Sequence, residues 1–266
     1  MLHRLARLGL VLALGTSLSS CFAVTDLDRF EKNSGRFVDL SLTVRGMKSH
    51  VAELFEYRIV DSENIIQSRG LAFPLGGVDA TFFAPRAVPT DKPVRIDFFA
   101  DHNNTKAYDS TPAEALDHAW RIEVDLSTVG KDGVVVVFDH NTSFQYLNDR
   151  GQPPGPPREV GKPGVLRFSG MGSRLGRRLQ VRYADSFTGR VVALYRYPNV
   201  DKDSGELTVP GMIEAGNTYT VEVTVDDEKG SQESWRFQRD STEQGLDVAF
   251  DPTTADAARV SDAPRP

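Results

Sequence analysis

"GMKSHVAELFEYRIVD", residues 46–61, recurs as "GMGSRLGRRLQVRYAD" at 170–185. Gly46-Met47 matches Gly170-Met171, and Ser49, Arg58 and Asp61 match Ser173, Arg182 and Asp185 without a gap. The likeness continues downstream. "FFAPRAVPTDKPVRIDFFAD" (82–101) lies against "LTVPGMIEAGNTYTVEVTVD" (207–226), with Pro85 opposite Pro210 and Asp101 opposite Asp226. "WRIEV" from Trp120 answers "WRFQR" from Trp235, and "VVVVFD" (134–139) answers "LDVAFD" (246–251). Order, spacing and alternation agree across the unit, so the chain reads as two copies of one domain of about 90–105 residues.

Within a copy the pattern has period two. "FVDLSLTVR" (37–45), "LFEYRIV" (54–60), "VRIDFFA" (94–100) and "WRIEVDL" (120–126) alternate apolar and polar residues, as half-buried strands do. Seven strands are expected in the first copy: 37–45, 51–60, 65–73, 79–84, 93–101, 119–126 and 133–139. Short strands separated by Gly, Pro, Asp and Asn turns point to an all-β fold of two tandem seven-stranded antiparallel β-sandwiches. In strand count and spacing each copy resembles the immunoglobulin and fibronectin III class. No Cys pair accompanies that resemblance, and the Trp falls late in each copy. Trp120 and Trp235 are therefore expected in the core.

The N-terminus sets the address. Arg4 and Arg7 precede a short apolar run, Leu8–Leu14, followed by small residues up to Ser20. The run is shorter than the roughly 20 apolar residues that span a bilayer, so residues 1–20 read as a cleaved export signal. Leu18-Ser19-Ser20-Cys21 resembles the bacterial lipobox. The resemblance implies cleavage before Cys21, the only cysteine, and acylation there. One acyl chain holds a membrane only marginally, and two or more hold it stably. Phe22 in place of Asp after the cysteine leans the address toward the outer membrane. Residues 21–36 are then a lipidated tether, 37–146 the first sandwich, and 165–252 the second. "LNDRGQPPGPPREVGKPG" (147–164) reads as a semi-stiff linker, and 253–266 as a disordered tail.

The formal net charge is −6, and loss of the signal removes two Arg and no acid. That charge argues against a nucleic-acid partner. The expected partners are the membrane, through the lipid, and an envelope protein or glycan.

The copies differ after the fifth strand. Eighteen residues separate Asp101 from Trp120, and eight separate Asp226 from Trp235. In the longer loop (101–119), Asp101, Asn103, Thr105 and Asp109 occupy positions 1, 3, 5 and 9 of a spacing similar to an EF-hand calcium loop. Lys106 stands where Gly is expected and Pro112 where Glu is expected, and Asp117 could supply the missing carboxylate. The alternative is an Asx-rich turn without an ion. Thr111-Pro112-Ala113-Glu114 has the form of a helix start.

All four histidines beyond the signal, His50, His102, His118 and His140, lie in the first copy. Strand parity puts their loops at one pole, where His and Asp could bind zinc or copper. The aligned places in the second copy include Arg174, Glu233 and Pro252. No G-x-S-x-G or H-E-x-x-H motif is present. The composite reading is a lipid-anchored, non-enzymatic envelope module with a calcium-loop candidate. The alternatives are a metal-dependent enzyme or metal carrier using the His/Asp pole, and a carbohydrate-binding module with Tyr195 and Tyr197 on one strand face.

Overall fold

The structure is a computed structural model and describes residues 37–108, 117–130, 133–140, 145–146, 157–226, 232–254 and 259–260. The signal, the tether, Cys21, Asp109 and the helix start at 111–114 lie outside the described residues.

The expected strands form. In the first half they are β1 (Phe37–Arg45), β2 (Leu54–Asp61), β3 (Ile66–Ala72), β4 (Ala80–Pro89), β5 (Val94–Asp101), β6 (His118–Val124) and β7 (Val134–Asp139), followed by the two-residue β8 (Gln145–Tyr146). The second half supplies β9 (Lys162–Phe168), β10 (Arg178–Asp185), β11 (Val191–Tyr197), β12 (Gly205–Ile213), β13 (Thr218–Asp226), β14 (Gln232–Asp240) and β15 (Leu246–Phe250), then β16 (Arg259–Val260). A three-stranded sheet β4-β1-β7 and the run β3-β2-β5-β6 repeat as β12-β9-β15 and β11-β10-β13-β14. Even the turns repeat: Gly46 and Gly170 both take positive φ (69° and 68°), which lets the chain swing from strand into the buried Met47 and Met171.

The strand order is distinct from the immunoglobulin order, which groups the first, second, fourth and fifth strands. Here the first strand leaves the second and pairs in parallel with the seventh, β1 with β7 and β9 with β15. The likeness to that class is one of strand count.

The halves share a sheet. β3 and β11 pair in parallel, Ala193 opposite Arg69 and Arg196 opposite Ala72, so two four-stranded runs, with β8 and β16 at the edges, become one sheet of ten strands. Along β11, Val192, Ala193 and Tyr195 join the core of the second half while Leu194 joins that of the first. The small sheets therefore cover opposite faces of the shared sheet. Buried Arg69 pins the junction, 3.2 Å from Glu56, 2.9 Å from Glu159 and donating to the Pro210 carbonyl at 2.7 Å. Tyr195 is buried in the second core and Tyr197 packs against it, so these tyrosines form no exposed platform. Trp120 and Trp235 are both 1% exposed.

Two boundaries move. Lys162–Gly164, expected to close the linker, begin β9, where Lys162 lies opposite Ile213 of β12 and Gly164 lies between Val209 of β12 and Leu246 of β15. Arg158 is stitched to the first half, its amide donating to Asn64 O at 2.8 Å and its carbonyl accepting from Ile66 N at 3.0 Å. In the tail, Arg259–Val260 pairs with Ser234–Trp235.

Candidate metal centre

His50 closes a short 3-10 turn (Lys48–His50) between β1 and β2, and its side chain is fully buried. His118 opens β6, two residues before Trp120. His140 follows β7, where its amide donates to the Arg45 carbonyl at 2.9 Å and prolongs the β1–β7 ladder. Three sequence-distant loops thus meet at one end of the first half.

Their nitrogens converge. His118 Nδ1 lies 3.2 Å and His140 Nε2 3.3 Å from His50 Nε2. One ligand nitrogen from each ring falls within 4.8 Å of the others. Trp120 forms the floor, with ring centroids 5.8, 6.2 and 5.7 Å from His50, His118 and His140. Phe98 and Phe138 back the indole at 5.6 and 5.3 Å. His118 and His140 are only half-buried, which leaves an approach from solvent.

Glu53 sets the chemistry of the buried imidazole. Its Oε2 lies 2.7 Å from His50 Nδ1. An ionised carboxylate can only accept, so Nδ1 carries the proton and Nε2 keeps its lone pair toward the cluster. This carboxylate–histidine arrangement is the usual outer support of a metal-bound imidazole. One lone pair cannot accept from two neighbouring rings at once, whereas a cation among the three would take a lone pair from each. Two of the three spacings, those from His50 Nε2, also suit an ion. Tetrahedral zinc with Zn–N bonds of 2.0–2.1 Å separates its nitrogen ligands by about 3.3 Å. Burial, then the neighbouring His50 and His118, holds the His140 pKa below the ordinary imidazole range, which keeps the ring neutral and able to ligate at neutral pH.

The second half is an internal comparison. Its matching turn, Gly172–Arg174, places Arg174 where His50 stands, and Glu233 precedes Trp235 as His118 precedes Trp120. Arg174 donates to Glu233 at 3.2 and 2.8 Å, Arg177 joins at 3.0 Å, and the guanidinium of Arg174 lies 5.6 Å from the Trp235 ring. An ion pair over tryptophan in one half is replaced by three imidazoles over tryptophan in the other.

His102 stays outside the triad. Its Nδ1 donates to Glu53 Oε1 at 2.7 Å, and its ring stacks 5.8 Å from His118. In the expected calcium loop, Asp101 accepts from the Thr105 and Lys106 amides at 3.1 and 2.7 Å. Asn103 Oδ1 accepts from Thr105 N at 3.3 Å, and Thr105 Oγ1 donates to the Ala107 carbonyl at 3.0 Å. Buried Asp117 accepts from His102 N at 3.1 Å. Asp101 and Asp117 thus organise backbone here. Sequence reading missed Glu53; its spacing of three residues from His50 was the available signal.

No family model matches the chain, and no curated protein matches it. Among solved structures, the Bacillus anthracis TIE protein is similar over 80% of this chain and 33% of its own, at 9% identity and a TM-score of 0.23. The fimbrial anchor protein Mfa2 from Porphyromonas gingivalis is similar over 84% of this chain and 95% of its own, at 11% identity and a TM-score of 0.22. The chain thus spans about a third of the first protein. At TM-scores this low neither likeness identifies a shared fold, and the metal centre stands on its geometry alone.

Proposed function

We propose that this chain is a lipid-anchored envelope protein that binds one divalent transition-metal ion, of the zinc class, through His50, His118 and His140. The observation that carries the reading is the approach of two imidazole nitrogens to within 3.3 Å of His50 Nε2, in the half where the repeat replaces Arg174 and Glu233. Borderline imidazole ligands suit zinc, copper and nickel, not calcium or magnesium. Glu53 fixes the tautomer, Trp120 keeps the floor dry, and the half-exposed His118 and His140 admit the ion. The role is binding or carriage, because no nucleophile–base pair or hydrolase motif accompanies the histidines in the sequence. The address rests on the lipobox-like Leu18–Cys21.

The test is metal stoichiometry. Purified protein stripped with chelator and titrated with zinc should take up one equivalent by calorimetry and elemental analysis. His118→Ala should lower that affinity at least a hundredfold. Calcium in place of zinc should give no heat at this site. Absence of zinc uptake, or uptake unchanged in His118→Ala, would overturn the reading.

A further inference from the structure

A second site follows from how the halves join. Because the two small sheets cover opposite faces of the shared sheet, β4 stands as a wall beside the open face of β10, β11 and β13. The step between them is a cleft of about 380 Å³, floored by Arg178, Gln180, Arg182 and Arg196 and walled by Thr81 and Phe83. It runs on into a second cavity of about 210 Å³ toward Gly76 and Pro198. Arg178, Gln180 and Arg182 alternate along β10 with Leu179, Val181 and Tyr183, which fill the second core.

Three arginines and the carboxylates of Asp79 and Asp226 line this cleft, but the charges are not all paired. Arg178 is held by Asp226, its Nε donating at 2.8 Å. Arg182 faces Glu222 at 3.4 Å. Arg196 has no carboxylate within ion-pair distance among the described residues. Its Nη1 donates to the Thr81 carbonyl at 2.7 Å, and its buried Nε meets no acceptor. Burial, with Arg178 beside it, pushes the Arg196 pKa down to about 10. A half-buried guanidinium held by one neutral carbonyl and the Phe82 ring face, 6.0 Å away, is a ready partner for an anion, and its fork suits a carboxylate. Gln180, Gln232, Thr81 and Thr224 add amides and hydroxyls, the Asp79 carboxylate at the edge accepts from Gly46 N at 2.9 Å, and Phe83 is 41% exposed at the rim. Planar amides meet sugar hydroxyls in pairs, and an open ring face packs against the apolar face of a pyranose.

We propose that this cleft binds an acidic saccharide, its carboxylate paired with Arg196, its hydroxyls met by Gln180 and Thr224, and one ring resting on Phe83. The site is independent of the metal centre and lies on the seam between the repeats.

The probe is trigalacturonate, with neutral galactotriose as its control, titrated calorimetrically into the whole protein. The acidic sugar should bind at least tenfold more tightly than the neutral one, and its affinity should fall with added salt. Arg196→Gln should cost tenfold or more for the acidic sugar and remove most of its preference over the neutral one. Phe83→Ala, at an exposed edge position, should weaken both sugars about equally and guards against a folding defect in the arginine variant. Several results overturn the proposal: no binding of either sugar, equal binding of both, unchanged affinity in Phe83→Ala, or equally tight binding of a tripeptide through its free carboxylate.

Discussion

The repeat supplies its own test of the metal centre. His50→Arg with His118→Glu would write the second half's ion pair into the first. The template already exists over a tryptophan, with Arg174 bonded twice to Glu233 at 3.2 and 2.8 Å and 5.6 Å from the Trp235 ring. His50 lies 5.8 Å from Trp120 in the corresponding place. A buried ion pair repays its desolvation where the geometry is good and the groups are fully bonded, as the Arg174–Glu233 template is, so the metal-free double variant should melt within about 4 °C of the parent, the shift expected from roughly 1 kcal/mol. Zinc separates the two proteins. An ion that binds only the folded state at a hundredfold over its Kd stabilises by about 2.7 kcal/mol, which for a chain of this size raises Tm by roughly 5–10 °C. The parent should show that rise and lose it in chelator. The double variant should not respond, because only His140 remains. Scanning calorimetry with zinc and with chelator reads both effects. A zinc-dependent rise that survives in the double variant would refute the assignment of the ligands.

Other outcomes follow from single contacts. Glu53→Gln keeps an oxygen near His50 Nδ1 but loses the charge that fixes the tautomer, and zinc affinity should fall about 10–100-fold by titration, with folding intact by circular dichroism. Asp61 is buried at the last position of β2, where burial alone would raise its pKa. The Lys92 ammonium and the Ile65 and Glu63 amides outweigh burial and hold it below the ordinary 3.8. Its stabilising contribution is therefore present above the ordinary value and lost as pH falls through the depressed one. Urea midpoints from pH 6 down to pH 2 should drop more steeply for the parent than for Asp61→Asn, and parallel curves would contradict this. Gly70→Ala should destabilise by about 1–3 kcal/mol through overpacking, because a Cβ there would lie 2.1 Å from the Tyr57 ring at the shared-sheet seam. Urea unfolding measures it, and an unchanged midpoint would show that the ring can step aside. Cys21→Ser should abolish incorporation of a fatty-acid probe in cells, and normal labelling of that variant would remove the lipid anchor.

Strand positions were legible because each strand buries one face, and a period of two records that face residue by residue. "FVDLSLTVR" at 37–45 became β1 over the same bounds. The repeat was legible for the same reason, since two copies of a sandwich need the same turns: Gly46 and Gly170 share a positive φ, and Asp61 and Asp185 both accept turn amides. Which strands pair is a matter of register and long-range closure, and alternation does not encode it. The parallel β1–β7 ladder closes only within the folded first half, and the β3–β11 ladder, the ten-stranded sheet and the cleft floored by Arg196 exist only once the halves meet. The histidines divide in the same way. Their confinement to the first copy was visible in the chain, and parity placed them at one pole. Only the tertiary structure chose among them, because the turn after β1, the start of β6 and the end of β7 deliver His50, His118 and His140 to one point, while Glu53 draws His102 to its far oxygen. A metal site is fixed by distances of a few tenths of an ångström, and side chains 90 residues apart acquire such distances only through the packing between them.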